Sequence, residues 1–353
     1  MLLMQGLVDG HTHACQQLLR GRVSDEYPMV WTRFLVPFES NLRPEDSYIS
    51  GQLACLEMIK NGTTSFADSG GVHMERVADA VLESGMRAAI AKSTMDMGNA
   101  ITGAMKETAE EAVNHTRELY QAYDGKGDGR ISIWFAIRQV MTCSKELIAM
   151  VRDAAAELHT GIHAHLCEHK DEVSFCLQNY HLRPAQFLKS MGVLDPNLLT
   201  AHNVMLSDED IAMMARRDVK VIHCPRANLS NHGFPKTPQM LQAGLNVSLG
   251  CDGTAPSNLD LFDEMKALRY SMIAYWGLPS FNPGVMTCPT LLKMAAWGGA
   301  NAIGKGDILG AVEEGRKADV ILLNIDQPHL TPTQNLINTI VEAANGHDVT
   351  DSI

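Results

Sequence analysis

The chain has 353 residues, 45% of them hydrophobic, enough for one large core or two smaller ones, and its ordinary glycine and proline contents exclude collagen-like and broadly disordered architectures. A formal net charge of -12 without any basic block argues against nucleic acid and anionic membranes as partners, because phosphates repel such a surface. No run of about 18 apolar residues is present to span a bilayer, and eight cysteines scattered without a CxxC pair read as reduced thiols of a cytoplasmic protein.

The opening MLLMQGLVDG is apolar but lacks a basic lead-in and a small-residue cleavage site, so it reads as a buried strand rather than a signal peptide. Short runs rich in Val, Ile and Ala then recur: GLVDGHTH at 6–13, TTSFAD at 63–68, RAAIAK at 87–92, ISIWFAIR at 131–138, GIHAHLCE at 161–168, LLTAHN at 198–203, KVIHCP at 220–225 and NVSLGCDG at 246–253. Between them, hydrophobic residues recur at helical spacing over 46–60, 75–84, 104–122, 144–158 and 208–215. Eight strands alternating with helices predict an α/β fold, a closed (β/α)8 TIM-type barrel. The rival, an open doubly wound sheet, is disfavoured because no GxGxxG follows the first strand. After about residue 300 the pattern changes, and GDILGAVEEGRKADVILLN leads into a short strand at 319–323 that the finished barrel has no place for. The expected division is a barrel over 1–304 and a partial β-sandwich segment with a C-terminal tail over 305–353. A lone strand is marginal, so this small β appendage is expected to be incomplete at both termini or completed by a partner.

The polar residues of the eight runs gather at one end of each, and in a barrel those C-terminal strand ends share one mouth. His11 and His13 are two apart on a strand and so share a face from which both imidazoles reach one ion. His165 ends the fifth run beside Glu168, while His163 lies one layer deeper and reads as a packed, hydrogen-bonded histidine. Asp252 follows VSLGC as a carboxylate lifted into the mouth, although without the histidines a turn or cap aspartate is the plainer reading. Three or four nitrogen and oxygen ligands with one open position suit one divalent ion, Zn2+ or Fe2+. His202 stays open between a further ligand, a proton carrier and a core histidine. Asp9 is either a partner to a ligand or a structural hydrogen-bond acceptor, and His232 is a candidate to line the mouth.

GLVDGHTH, HLCE, AHN and SLGCDGTAPSN together resemble the amidohydrolase superfamily, within it the branch of S-adenosylhomocysteine/methylthioadenosine, guanine and cytosine deaminases and the s-triazine hydrolases. The resemblance runs from about residue 6 to 325. It implies one divalent ion held by His11, His13, His165 and Asp252, with Asp252 also accepting a proton from water. It further implies Glu168 as proton shuttle and His202 in contact with the attacking water or the developing oxyanion. HTHACQQLLRG, with Trp31 and Glu39 after it, is closest to the adenosine-type deaminases and triazine hydrolases, which places Trp31 and Glu39 on the distal part of a substrate. The expected activity is hydrolytic deamination of a purine, pterin or other nitrogen heterocycle, that is, hydrolysis of a carbon–nitrogen bond other than a peptide bond. A homo-oligomer is implied as well.

Two departures from the branch stand out. Where a Pro-His pair usually ends the fourth strand this chain has Ile137-Arg138, and where Asn-Pro-Ala-Ser-Asn usually follows the seventh it has Cys224-Pro225-Arg226-Ala227-Asn228. An arginine cannot ligate a metal, so the two-metal variant of the superfamily, which needs a lysine at the end of strand four, is not expected. Arg138 and Arg226 either turn forked donors toward a carboxylate or oxo-rich substrate edge or each pair with a neighbouring acid. The alternatives to deamination are an s-triazine chlorohydrolase or aminohydrolase on the same site, and a non-catalytic, metal-stabilised barrel that only binds a ligand.

Overall fold

The computed structural model describes residues 1–26, 30–98, 101–253 and 257–353. The opening apolar segment is not one strand but two, β1 (Leu2–Gln5) and β2 (Leu7–Thr12), divided at Gly6. Neighbouring amides there serve different sheets: Gly6 N donates to Asp319 O and Leu7 N to Gly62 O, both at 2.9 Å. All eight expected barrel strands form: β2, β3 (Thr63–Asp68), β4 (Arg87–Ala91), β5 (Ile131–Ile137), β6 (Ile162–Leu166), β7 (Leu198–His202), β8 (Lys220–His223) and β9 (Asn246–Leu249). They pair in sequence order as an eight-stranded parallel sheet, the TIM-type arrangement. Among the described residues no helix is long and apolar enough to cross a membrane.

The appendage is a three-stranded antiparallel sheet in which β10 (Val320–Leu323) lies between β1 and β11 (Val349–Ser352), with Leu2 opposite Leu323. Leu2–Gln5, expected to lead into the barrel, instead gives its backbone groups to β10 of this small sheet.

Residue alternation separates two apolar layers. Along β5, Ile131, Ile133, Phe135 and Ile137 join the large core that also takes in the helices, whereas Trp134 and Ala136 join a second cluster. That second cluster draws Val8, Ala67, Ala89, Ala91, Leu199 and Ile222 from five other strands and fills the barrel interior, where mostly small side chains fit. Helix starts follow local chemistry. Helix Ala109–Tyr123 begins at Thr108, whose side chain accepts from Glu111 N while Glu111 reaches back, so it starts later than the expected residue 104. Ser207 caps Asp208–Ala215 in the same way with Asp210, and Ser144 caps Lys145–Leu158 by accepting from Leu147 N.

The barrel closes between its first and last strands at the mouth. Asp252 N donates to His11 O at 2.9 Å, and Thr12 and Asp252 form an isolated parallel bridge. Asp9, wholly buried, accepts from Cys251 N at 3.2 Å and from His11 N at 3.0 Å. Burial pushes the Asp9 carboxyl up to about 6 against those hydrogen bonds. Gly250 is required there: a Cβ would lie 2.7 Å from the backbone N and O of His11.

Candidate active site

Each side chain expected at the mouth reaches it from a strand end, and several do so through backbone that ordinary strands avoid. The register of β2 against β3 shifts between Asp9 and Thr12, an irregularity of the kind that re-aims side chains. Cys167, His202, Asn203 and Asp252 all have positive φ, 51°, 72°, 57° and 62°. Non-glycine residues adopt this conformation uncommonly, and here it also occurs at helix ends such as His159 and His181.

These devices bring His11, His13, His165 and Asp252 together. His13 Nε2 lies 3.2 Å from His165 Nε2 and 3.7 Å from Asp252 Oδ1, and His11 Nε2 lies 3.4 Å from the same Oδ1. A tetrahedron with arms of about 2.1 Å has edges of about 3.4 Å, so these donor atoms already have the spacing of a single small cation's shell. The hydrogen bonds behind them fit too. Gly70 O accepts from His13 Nδ1 at 3.1 Å; a carbonyl only accepts, so Nδ1 carries the proton and Nε2 offers its lone pair. His11 Nδ1 lies 2.8 Å from His163 Nε2, the deeper histidine acting as a partner to a ligand. His11 Nε2 and His202 Nε2 are buried without a hydrogen-bond partner among the described residues, a cost of about 1–3 kcal/mol per polar atom that a cation or substrate removes. The residues fit a divalent ion. His202 also falls near the shell, since ligand atoms of His11, His202 and Asp252 lie within 4.8 Å of one another.

Around the shell stand further titratable and amide groups. Glu168 Oε1 lies 3.7 Å from His202 Nε2 and 3.1 Å from His232 Nε2, and Gln139 Nε2 donates to its Oε2 at 2.7 Å. Burial raises the Glu168 carboxyl, but the adjacent His202 and His232 outweigh it and hold it at about 2. Burial likewise opposes, and the surrounding histidines overcome it to hold, Asp252 well below the usual carboxylate range. Four residues beyond Glu168, buried Glu172 accepts the Glu168 N–H at 3.2 Å and so secures the turn that carries it. His232 was a candidate to line the mouth, without the contact to Glu168; Gln139 had no assigned role, and no local pattern marks it.

The remaining expected residues are placed as follows. Trp31, partly buried, packs against the cluster of Cys15, Val36, Leu42 and Val72. Glu39 and Arg138 form a buried ion pair, with Nη2 to Oε1 at 3.1 Å and Nη1 to Oε2 at 3.2 Å, and Gln16 Nε2 also donates to Glu39. Arg138 Nη1 further reaches Ser93 Oγ at 3.2 Å and Gly70 O at 3.4 Å, the same carbonyl that holds His13. Gly70 has φ +87°, and a Cβ there would meet Ser93 N at 2.3 Å, so the carbonyl sits where only glycine fits. Arg226 donates to Glu264 Oε1 at 2.6 Å, Asn258 Oδ1 at 2.6 Å and Asn258 O at 2.8 Å. Both arginines thus pair with acids, one of the two outcomes their sequence context allowed.

Breaking the Arg138–Glu39 pair on one side leaves a buried charge alone. Arg138→Met is expected to cost about 3–5 kcal/mol in urea unfolding, and adding Glu39→Gln is expected to restore part of that loss. A single-variant cost below about 1 kcal/mol would show that the pair braces nothing.

The amidohydrolase family profile matches residues 2–351. A 5-methylthioadenosine/S-adenosylhomocysteine deaminase of Pelotomaculum thermopropionicum is 38% identical over 99% of this chain and 78% of its own length. A 5'-deoxyadenosine deaminase of Methanosarcina acetivorans is 35% identical over 100% of this chain and 79% of its own. An adenosine deaminase from Xanthomonas campestris, solved with bound zinc, superposes with a TM-score of 0.92 at 29% identity, covering 99% of this chain and 78% of that one. With the family profile and these relatives spanning nearly every residue, the chain belongs to the amidohydrolase family and is a hydrolase of carbon–nitrogen bonds other than peptide bonds.

Proposed function

We propose that this enzyme deaminates adenosine or a 5'-substituted adenosine, replacing the ring amino group by oxygen and releasing ammonia. The observation that carries this reading is one shell of three histidine nitrogens and one carboxylate oxygen with an ionised glutamate beside it. The relatives named above supply the substrate class. His11, His13, His165 and Asp252 would hold the ion, Zn2+ suiting a tetrahedral nitrogen and oxygen set. When bound, such an ion supplies Lewis-acid chemistry that makes water a nucleophile at neutral pH.

The protein's own groups then divide the proton work. Asp252, kept ionised by the histidines around it, accepts hydrogen bonding from the attacking water and orients it. Glu168 starts as a carboxylate, takes up the proton that water gives up and delivers it to the ring nitrogen next to the amino-bearing carbon. His202 donates to the water-derived oxygen, which carries negative charge as the water gives up its first proton and again as the hydroxyl on the tetrahedral carbon gives up the second to the leaving amine. His232, 3.1 Å from Glu168, steadies that carboxylate between its two proton transfers. Ammonia leaves with the second proton, and the ring keeps the new oxygen. Trp31 packs beside the segment that bears Glu39; Trp31 is assigned to the wall for the ribose end of the substrate, which Glu39, buried and paired with Arg138, braces from behind.

The test is a panel of adenosine, 5'-deoxyadenosine, 5'-methylthioadenosine, S-adenosylhomocysteine and a chloro-s-triazine, offered to zinc-loaded protein with ammonia and chloride measured. Ammonia in step with a 6-oxopurine product from at least one adenosine compound is the expected result. Chloride from the triazine, or no ammonia from any adenosine, overturns the reading.

A further inference from the structure

Deamination as proposed needs a hydrogen-bond donor at His202, yet that side chain lies where a ligand could also sit, its ligand atom within 4.8 Å of those of His11 and Asp252. We propose that Asn228 is a positioning residue that holds His202 in the tautomer bearing its proton on Nε2, so that His202 faces the site as a donor and not as a lone pair. The inference rests on the deaminase reading above and adds a residue to it.

Asn228 is fully buried in the short helix Pro225–Asn231. Its Oδ1 accepts the Cys224 backbone N–H at 3.2 Å. A backbone amide can only donate, so the side-chain amide cannot be flipped without setting two donors against each other. Its Nδ2 therefore faces His202 Nδ1, 2.9 Å away. An amide NH2 also only donates, so His202 Nδ1 must be the acceptor, and the single proton of the neutral ring sits on Nε2. His13 is the opposite case: a carbonyl on its Nδ1 leaves the lone pair on Nε2. One histidine is thus made a ligand and the other a donor by what stands behind each ring. A second hold keeps His202 in place, since His223 Nδ1 lies 2.9 Å from the carbonyl of His202, a residue with φ 72°. The Asn228 carbonyl separately accepts from His232 N at 2.7 Å and Gly233 N at 2.9 Å, contacts that side-chain replacement leaves untouched.

The direct test is the nitrogen-15 spectrum of histidine-labelled, zinc-loaded protein, with the His202 signals assigned by their absence in His202→Asn. A pyridine-type Nδ1 and a pyrrole-type Nε2 are expected; the reverse assignment overturns the proposal. This readout needs no substrate. A protein that deaminates no adenosine still reports its tautomer, and an active deaminase with the wrong tautomer sinks this inference alone. Kinetics give an independent arm. Asn228→Asp keeps the shape but places an acceptor against Nδ1, drawing the neutral ring's single proton there, and above the pH at which the ring takes up a second proton it is expected to lower kcat by about 100-fold, the scale of a lost oxyanion donor. Asn228→Ala leaves both tautomers open and is expected to lose only about 10-fold, with KM changed less than about threefold in both. A merely structural Asn228 predicts the opposite order, since the isosteric aspartate fills the buried site better than alanine. Finding more turnover in Asn228→Asp than in Asn228→Ala overturns the proposal.

Discussion

Glu168→Gln is expected to keep its ion and lose turnover by about 10²–10⁴-fold, the usual contribution of one acid–base group. The amide matches the carboxylate in shape. Its oxygen can still accept from Gln139 Nε2, which donates to Glu168 Oε2 at 2.7 Å, so the turn after β6 stays seated. What the variant lacks is a site for the transferred proton. Its amide nitrogen would also face His232 Nε2, now 3.1 Å from Oε1, and that clash of donors is relieved if His232 presents its bare nitrogen. Metal content by elemental analysis and kcat on the best adenosine substrate decide the matter together. A parallel fall of zinc and activity would move Glu168 from proton transfer into the ion's shell.

His165→Ala is expected to abolish measurable turnover and weaken zinc binding by more than about 100-fold. The scale comes from outer partners of metal ligands, whose loss typically costs about 10–100-fold in affinity, so a direct ligand must exceed it. His163→Ala supplies the comparison inside this molecule, because His163 stands behind a ligand, its Nε2 2.8 Å from His11 Nδ1. It should fall within the outer-partner range. Competition against a chelating dye measures both. A His165→Ala protein that holds one zinc as tightly as wild type, or a His163→Ala protein that loses more than it, would dissolve the assigned shell.

The eight barrel strands and the residues at their ends were legible in the sequence because they depend on local pattern: apolar runs of strand length, most of them closed by a histidine or acid. Three things were not. The split of the opening segment at Gly6 has no composition signal, since it arises from which distant carbonyl each amide meets, Asp319 or Gly62. The partners of Arg138 and Arg226 are Glu39 and Glu264, 99 and 38 positions away, and a sequence does not state which acid an arginine finds. Gln139 and Asn228 sit in ordinary loop or helix context, and their partners Glu168 and His202, like the Glu168 that His232 meets, are set by distant parts of the fold. The strained φ values at His202 and Asp252 belong to the same class, being imposed by neighbours and not by residue type.

The seam between the first and last barrel strands bears on how the enzyme is made. Asp9 and Cys251 are 242 positions apart, and at synthesis rates of about 5–20 residues per second the first strand waits on the order of 12–50 s for its closing partner. Throughout that interval a nascent chain carries His11 and His13 but no Asp252, so any zinc it captures is held by an incomplete set and exchanges freely. Stable loading must follow barrel closure. An ion held by the proposed set would then act as a rivet across the last joint formed, and chelation would be expected to loosen the molecule there first.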